Sequence, residues 1–297
     1  MASRQMTTQE ATPELEAAAE RARSRRGFRI ALPSFAYLVI FFVLPLLLVL
    51  VYSFASRSST GLTLLEDWNL DSYGRLFTPL VGEIFLRSLV LALSTTAICL
   101  VVCYPFAYYI ATRGPTLRNV LLVLVMIPFW SNFLVRTYAW SFILGSDGIA
   151  SQISQAFGGE PVRLLFTNTA VLIGMVYGFM PFMVLPLYAA IERLDWSLVE
   201  AARDLYASGW TAFRKVTLPL SMPGVIAGSI LVFIPALGAY VTPAILGGAR
   251  TTLIGDYIVG QFLSARNWPF GSALSISIMF LMLIATLIYF RSGARNV

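Results

Sequence analysis

The chain has no histidine, and only two of its 297 residues are cysteine. Without histidine the usual general base and the commonest metal ligand are both missing. Cys99 and Cys103 lie four apart in an apolar run, on one face of any helix there, and are too distant to bridge easily. They read as small buried apolar residues rather than as a redox or metal pair. No Gly-x-x-x-x-Gly-Lys-Ser/Thr loop occurs, so the chain has no recognised route to hydrolysing ATP. No acid, base and nucleophile form a recognisable constellation, which argues against a membrane-embedded enzyme. Charge is scarce as well: 12% of residues are Asp, Glu, Lys or Arg, about half the usual share in a soluble domain.

What is present in excess is hydrophobicity. Apolar residues make up 58% of the chain and the mean hydropathy is +0.76, which defines an integral membrane protein. Ile30 to Ser56 carries no charge and is long enough to cross a bilayer. A secretory signal would have a shorter apolar core and a small-residue cleavage site. Four later runs are also free of charge: Ser88 to Thr112, Leu164 to Ile191, Val216 to Ala249 and Asn267 to Phe290. A further run, from about Val120 to Leu144, is interrupted by Arg136.

The expected fold is all-α, with six transmembrane helices and both termini cytoplasmic. The spans are expected at about 30–55, 86–111, 120–144, 168–190, 222–246 and 271–290. A cytoplasmic tail over 1–28 would precede the domain 29–291, and a second tail, 292–297, would follow it. Fourteen of the 21 Lys and Arg fall on one side of these spans. They are Arg4, Arg21, Arg23, Arg25, Arg26, Arg29, Arg113, Arg118, Arg193, Arg203, Arg214, Lys215, Arg291 and Arg295. That side is cytoplasmic by the positive-inside rule. The opposite loops carry Trp68, Tyr73, Trp268 and Phe270 beside Glu66, Asp67, Asp71 and Asp256. Each aromatic reads as part of an interfacial belt, and the loops together as a docking surface. Gly224-x-x-x-Gly228 in the fifth run suits close helix packing.

The loop 192–220 contains a polar, helix-favouring island between apolar runs. It reads Glu200-Ala201-Ala202-Arg203-Asp204-Leu205-Tyr206-Ala207-Ser208-Gly209 and continues to Val216-Thr217-Leu218-Pro219. On a continuous helix Ala202, Tyr206 and Gly209 would share one face, with Leu218-Pro219 ending the pattern. Small residues on such a face let a partner backbone come close. By helical pattern alone, an ordinary amphipathic connector is the plainer reading.

This stretch resembles the cytoplasmic Glu-Ala-Ala signature of permease subunits of binding-protein-dependent ABC importers. That signature has a Gly six positions after the Glu and an aliphatic-x-Leu-Pro ending. Glu200, Ala201, Ala202, Val216, Leu218 and Pro219 match it, whereas the Gly position holds Tyr206, three residues before Gly209. Three other passages resemble the spermidine/putrescine branch of these permeases. They are Arg136-Thr137-Tyr138-Ala139-Trp140, Met180-Pro181-Phe182, and Gly247-Gly248 through Asn267-Trp268-Pro269-Phe270-Gly271. The similarity runs from about Ile30 to Arg291.

The resemblance implies the type I importer permease fold in a bacterial inner membrane. It further implies a second permease subunit, two ATPase subunits that bind ATP and Mg, and a periplasmic solute-binding protein. This chain itself would hold no cofactor or metal and touch membrane lipid but no nucleic acid. ATPase coupling would fall on Glu200, Ala201, Ala202, Arg203, Asp204, Leu205, Tyr206, Gly209, Leu218 and Pro219. A polyamine is the expected solute, with an opine or aminoethylphosphonate as alternatives. Candidates for the translocation path are Arg136 and the aromatics Tyr108, Tyr138, Trp140, Tyr177 and Tyr240, whose ring faces suit a cation. Arg136 could equally snorkel to headgroups or serve a structural pair. An ATP-independent secondary transporter would account for the spans but not for the signature.

Overall fold

A computed structural model describes residues 31–58, 63–65, 67–161, 163–248 and 251–293. The expected tail 1–28, with its basic run Arg21 to Arg26, and the last residues 294–297 lie outside the described residues. The chain divides into two compact units at Tyr52/Ser53.

The first unit is built on helix α1, Ala31–Ser53, which is apolar throughout and long enough to cross a membrane. Its regular hydrogen bonding is broken by a π-turn over Val39–Val43, where the N–H of Leu44 reaches back to Val39. Pro45 follows immediately and has no N–H to give. A wider turn accommodates the missing donor and the ring's bulk.

In the second unit a two-residue hairpin pairs β1, Ser56–Arg57, with β2, Thr63–Leu64. A short helix α2, Asp71–Gly74, leads into α3, Pro79–Ala111. Proline suits the first turn of α3 because that N–H would be unpaired anyway. At 33 residues α3 is about 50 Å long, well beyond the hydrocarbon thickness. It begins before the expected span 86–111 because an ion pair one turn apart, Arg87 to Glu83 at 2.8 Å, belongs to the helix but not to the apolar run.

The expected third span, 120–144, falls on two helices, α4, Pro115–Trp130, and α5, Phe133–Leu144. A short α6, Ile149–Ala156, follows, and the α4 and α5–α6 axes bend by 92°. Pro128 weakens the end of α4, Ser131 is extended, and Asn132 caps α5 by accepting from the N–H of Leu134 at 2.8 Å. Those local bonds favour a break inside a continuous apolar run.

Next come α7, Asn168–Glu192, α8, Trp196–Asp204, α9, Gly209–Leu220, and α10, Met222–Leu237. α9 and α10 meet at 65°. A π-turn over Phe213–Thr217 precedes Pro219 as the earlier one precedes Pro45. Proline at 219 therefore does not end the helix; it sits in a short turn, and the bend comes at Ser221. α10 has only 16 residues, fewer than the roughly 20 a span needs. Its run continues through the π-turn Pro243–Gly247, whose Pro243, Leu246 and Gly247 are buried. Irregular backbone at membrane depth is tolerated when protein covers it. The last described elements are α11, Ile254–Leu263, and α12, Trp268–Gly293. Four described helices are long and apolar enough to cross a membrane, or six if each bent pair is one span.

One part of the core is the junction of α3, α7 and α10. Cys103, Ala107, Met183, Leu187, Ile191 and Val232 there are fully buried. Lipid is as apolar as these side chains, so close contact rather than water exclusion holds the helices together. Gly224 and Gly228 form that contact: an added Cβ at Gly224 would meet Ala190 at 2.5 Å, and one at Gly228 would meet Met183 Sδ at 2.8 Å. The Gly-x-x-x-Gly face thus seats α10 on α7 within the chain. The thiols of Cys99 and Cys103 point at the carbonyls of Val176 and Met180, at 3.6 and 3.8 Å.

Phe270 does not belong to an interfacial belt. It is 2% exposed in the core, with Arg75 4.5 Å from its ring centre and Tyr257 edge-on. Trp68 and Trp268 remain exposed.

Candidate functional site

The polar island divides into two helices rather than one. The Asp195 carboxylate caps α8, accepting from the N–H of Ser197 at 3.0 Å. The hydrogen bonds from Ser197 hold this carboxyl below its ordinary pKa. α8 stops at Asp204 because the chain turns back: Tyr206 N–H donates to the Arg203 carbonyl at 2.9 Å, and Ala207 N–H to that of Ala202 at 3.1 Å. This pair of bonds needs a left-handed residue between them, and Tyr206 takes φ 60°. The matching position of the signature holds Gly, which adopts that conformation without a Cβ penalty. Ser208 then caps α9, accepting from Thr211 N–H at 3.2 Å.

The expected shared face of Ala202, Tyr206 and Gly209 is therefore not formed. Ala202 belongs to α8 and Gly209 opens α9, while Tyr206 lies in the turn between them. Pattern reading missed this because the apolar and small residues keep helical spacing across the turn.

One side of the segment is anchored. Val199, Ala212 and Thr217 are buried, and Phe213 and Leu218 pack on the α3–α7–α10 core. The other side faces outward, with Glu200, Ala201, Arg203, Asp204, Leu205, Tyr206, Gly209 and Pro219 exposed and Ala202 half-exposed. Among the described residues Glu200, Arg203 and Asp204 have no ion-pair partner within the chain. At the start of the loop Glu192 pairs with Arg118 of α4 at 2.7 Å.

Of the six candidate path residues, the structure gathers Arg136, Trp140 and Tyr177. Trp140 meets Tyr177 edge-on at 5.4 Å between ring centres. The Arg136 guanidinium lies 5.7 Å from the Tyr177 ring centre and 5.6 Å from that of Phe133. It also donates to the Pro128 carbonyl at the end of α4, which Ser131 Oγ reaches at 2.7 Å. Arg136 thus closes the α4–α5 bend with a carbonyl and two rings as its partners among the described residues. Beside it a cavity of about 300 Å³ is lined by Trp140, Tyr177, Ile98, Val176 and Met180. Tyr138 and Tyr240 are exposed. Tyr108 lies instead against Trp196 at the start of α8. Sequence reasoning passed over Trp196, Phe213 and Ser221, because their partners on α3 are far away in sequence.

The described chain thus combines helices long and apolar enough to cross a membrane with a glycine-fitted core and an anchored, outward-facing polar segment. A family model for the binding-protein-dependent transport system inner membrane component matches residues 103–295. The spermidine/putrescine transport system permease protein PotB of Haemophilus influenzae is 44% identical over 87% of this chain and 91% of its own length. The protein of that name from Escherichia coli is 43% identical over 86% and 94%. Another Escherichia coli protein, the inner membrane ABC transporter permease protein YdcU, is 32% identical over 84% of each chain. A bacterial ABC transporter involved in import of the acidic polysaccharide alginate has the same fold, with a TM-score of 0.72 at 18% identity over 94% of this chain and 99% of that one. The chain belongs to the family of binding-protein-dependent transport system inner membrane components. It is accordingly a multi-pass inner membrane transport subunit of the type I importer fold, not an ATPase.

Proposed function

We propose that this chain is one of two permease subunits in an ATP-driven importer that carries a polyamine, spermidine or putrescine, into the cytoplasm. Two ATPase subunits bind ATP and Mg, and a periplasmic protein delivers the solute. The segment 192–220 receives the ATPase stroke, and the spans respond by alternating access, an analogy with secondary transporters. The observation that carries this reading is the outward face from Glu200 to Asp204, charged and without an ion-pair partner among the described residues, on a segment tied to the spans. A contact that receives force needs both an open surface and a rigid mount. The basic bias supports placing the segment and both termini in the cytoplasm. A reporter fused at Ser208 should report cytoplasm; a periplasmic signal sinks this orientation.

The polyamine assignment rests on the 43–44% identity to spermidine/putrescine permeases. Trp140 and Tyr177 offer ring faces suited to an ammonium group. Arg136 beside them favours a second reading, since a fixed guanidinium attracts an anionic group and repels a dication. Under that reading the same machinery imports an opine or aminoethylphosphonate. In the polyamine reading the carboxylates come from the second permease. The test is uptake of labelled spermidine and of labelled aminoethylphosphonate by the complete reconstituted importer. ATP-dependent accumulation of spermidine alone supports the first reading, and of aminoethylphosphonate alone the second. Accumulation that does not need ATP contradicts both.

A further inference from the structure

Two tyrosines one turn apart on α3 hold the two ends of the segment 192–220. Tyr108 packs edge-on against Trp196, the first residue of α8, with ring centres 5.9 Å apart. Tyr104, 7% exposed, places its Oη 2.6 Å from Ser221 Oγ. Ser221 is fully buried at the 65° bend where α9 gives way to α10. Its hydroxyl also lies 3.1 Å from the Leu218 carbonyl and donates to it. A serine hydroxyl has one proton, so Tyr104 is the donor in the pair. The same Tyr104 ring meets Phe213 edge-on at 5.5 Å, and Phe213 stacks on the exposed Trp210 at 5.4 Å.

We propose that Tyr104 is a positioning residue for energy coupling: its bond to Ser221 makes α3 move with the bend at the end of the segment. The inference rests on the segment being the ATPase contact. A push on the outward face then has two exits, through Trp196 to Tyr108 and through Phe213 and Ser221 to Tyr104. Both lead to one helix, so α8 and α9 transmit as a unit instead of hinging separately. The hydroxyl bond is the directional part of this link. Ring contacts tolerate sliding, whereas a buried hydroxyl pair loses its partner if the bend shifts by even an ångström or so.

The experiment uses the complete importer in proteoliposomes, with Tyr104→Phe, Ser221→Ala and the double variant. The readouts are ATP hydrolysed per solute taken up, and retention of the ATPase subunits on the purified permease. Tyr104→Phe keeps the ring and the assembly but raises ATP spent per solute roughly tenfold. Ser221→Ala does at least as much, since it also removes the bond to the Leu218 carbonyl, and the double variant is no worse than Ser221→Ala alone, because the Tyr104–Ser221 bond is already gone. Unchanged ATP per solute in both single variants overturns the proposal. So does additive damage in the double variant, or a loss of uptake explained wholly by poorer assembly. Glu200→Lys is the control for the underlying reading. If it too leaves stimulation intact, the segment is not the ATPase contact; if it alone abolishes stimulation, the contact stands and only the Tyr104 link fails.

Discussion

Ala207 donates its N–H to the carbonyl of Ala202 at 3.1 Å, and this bond folds the end of α8 around Tyr206. The ring is 99% exposed, so it gains nothing within the chain while its backbone holds φ 60°. A left-handed non-glycine residue costs about 1–2 kcal/mol, and glycine's extra freedom in the unfolded chain costs about 0.5–1 kcal/mol. Strain relief wins. Tyr206→Gly should therefore slow hydrogen exchange at the Ala207 amide, by a net of about 0.5–1 kcal/mol. Faster exchange would show that the ring stabilises the turn despite its exposure.

The second prediction concerns the α4–α5 bend. Arg136 and Ser131 both donate to the Pro128 carbonyl, so either can partly cover for the other. Arg136→Leu should cost about 1 kcal/mol, and Arg136→Leu with Ser131→Ala more than the sum of the single changes, since the part-buried Pro128 carbonyl then loses both donors. Arg136→Lys keeps a donor but not the planar group over Tyr177, and should fall between wild type and Arg136→Leu. Thermal unfolding of the purified permease in detergent measures all four. Additive losses would mean that the two donors do not share the carbonyl.

Two carboxylates outside the spans make opposite pH predictions. The Ser197 hydrogen bonds depress the Asp195 pKa. Its contribution to α8 is therefore complete above the ordinary carboxylate range, roughly pH 4, and is lost as pH falls through the depressed value. Burial raises the Asp256 pKa. Its protonated form is favoured in the fold, so stability is lost as pH rises from the ordinary carboxylate range through the raised value. Asp195→Asn should remove the acid-side loss of amide protection in α8. Asp256→Asn should raise the unfolding temperature at pH 7 but not at pH 3. Equal effects at both pH values would refute the Asp256 assignment.

That Glu200-Ala201-Ala202 lies in a polar segment between apolar runs was legible, because charge and helix-forming residues mark it locally. The glycine seam of α10 was legible too, since Gly224 and Gly228 mark close approach wherever a partner helix lies. The break at Ser131 was not, because apolar residues flank Ser131-Asn132 on both sides while Asn132 and Pro128 redirect the backbone. The turn at Tyr206 was hidden for a related reason: tyrosine carries no signal for a left-handed backbone, and glycine would have. Tyr104 and Ser221 are 117 residues apart, and nothing local to either names the other. Tyr108 offered an aromatic face, as a path residue should, yet the fold uses it to hold Trp196.

The central claim is that α8 receives the drive for transport from outside the chain. Ala202 is half-exposed on that face, where an indole would obstruct a close-fitting partner, and Glu200 presents an exposed charge whose reversal would repel whatever complements it. The direct measurement is ATPase stimulation by the solute-loaded binding protein in proteoliposomes carrying Ala202→Trp or Glu200→Lys. Both variants should insert and fold normally yet lose that stimulation. Full stimulation in both would contradict the account and leave the segment a simple connector.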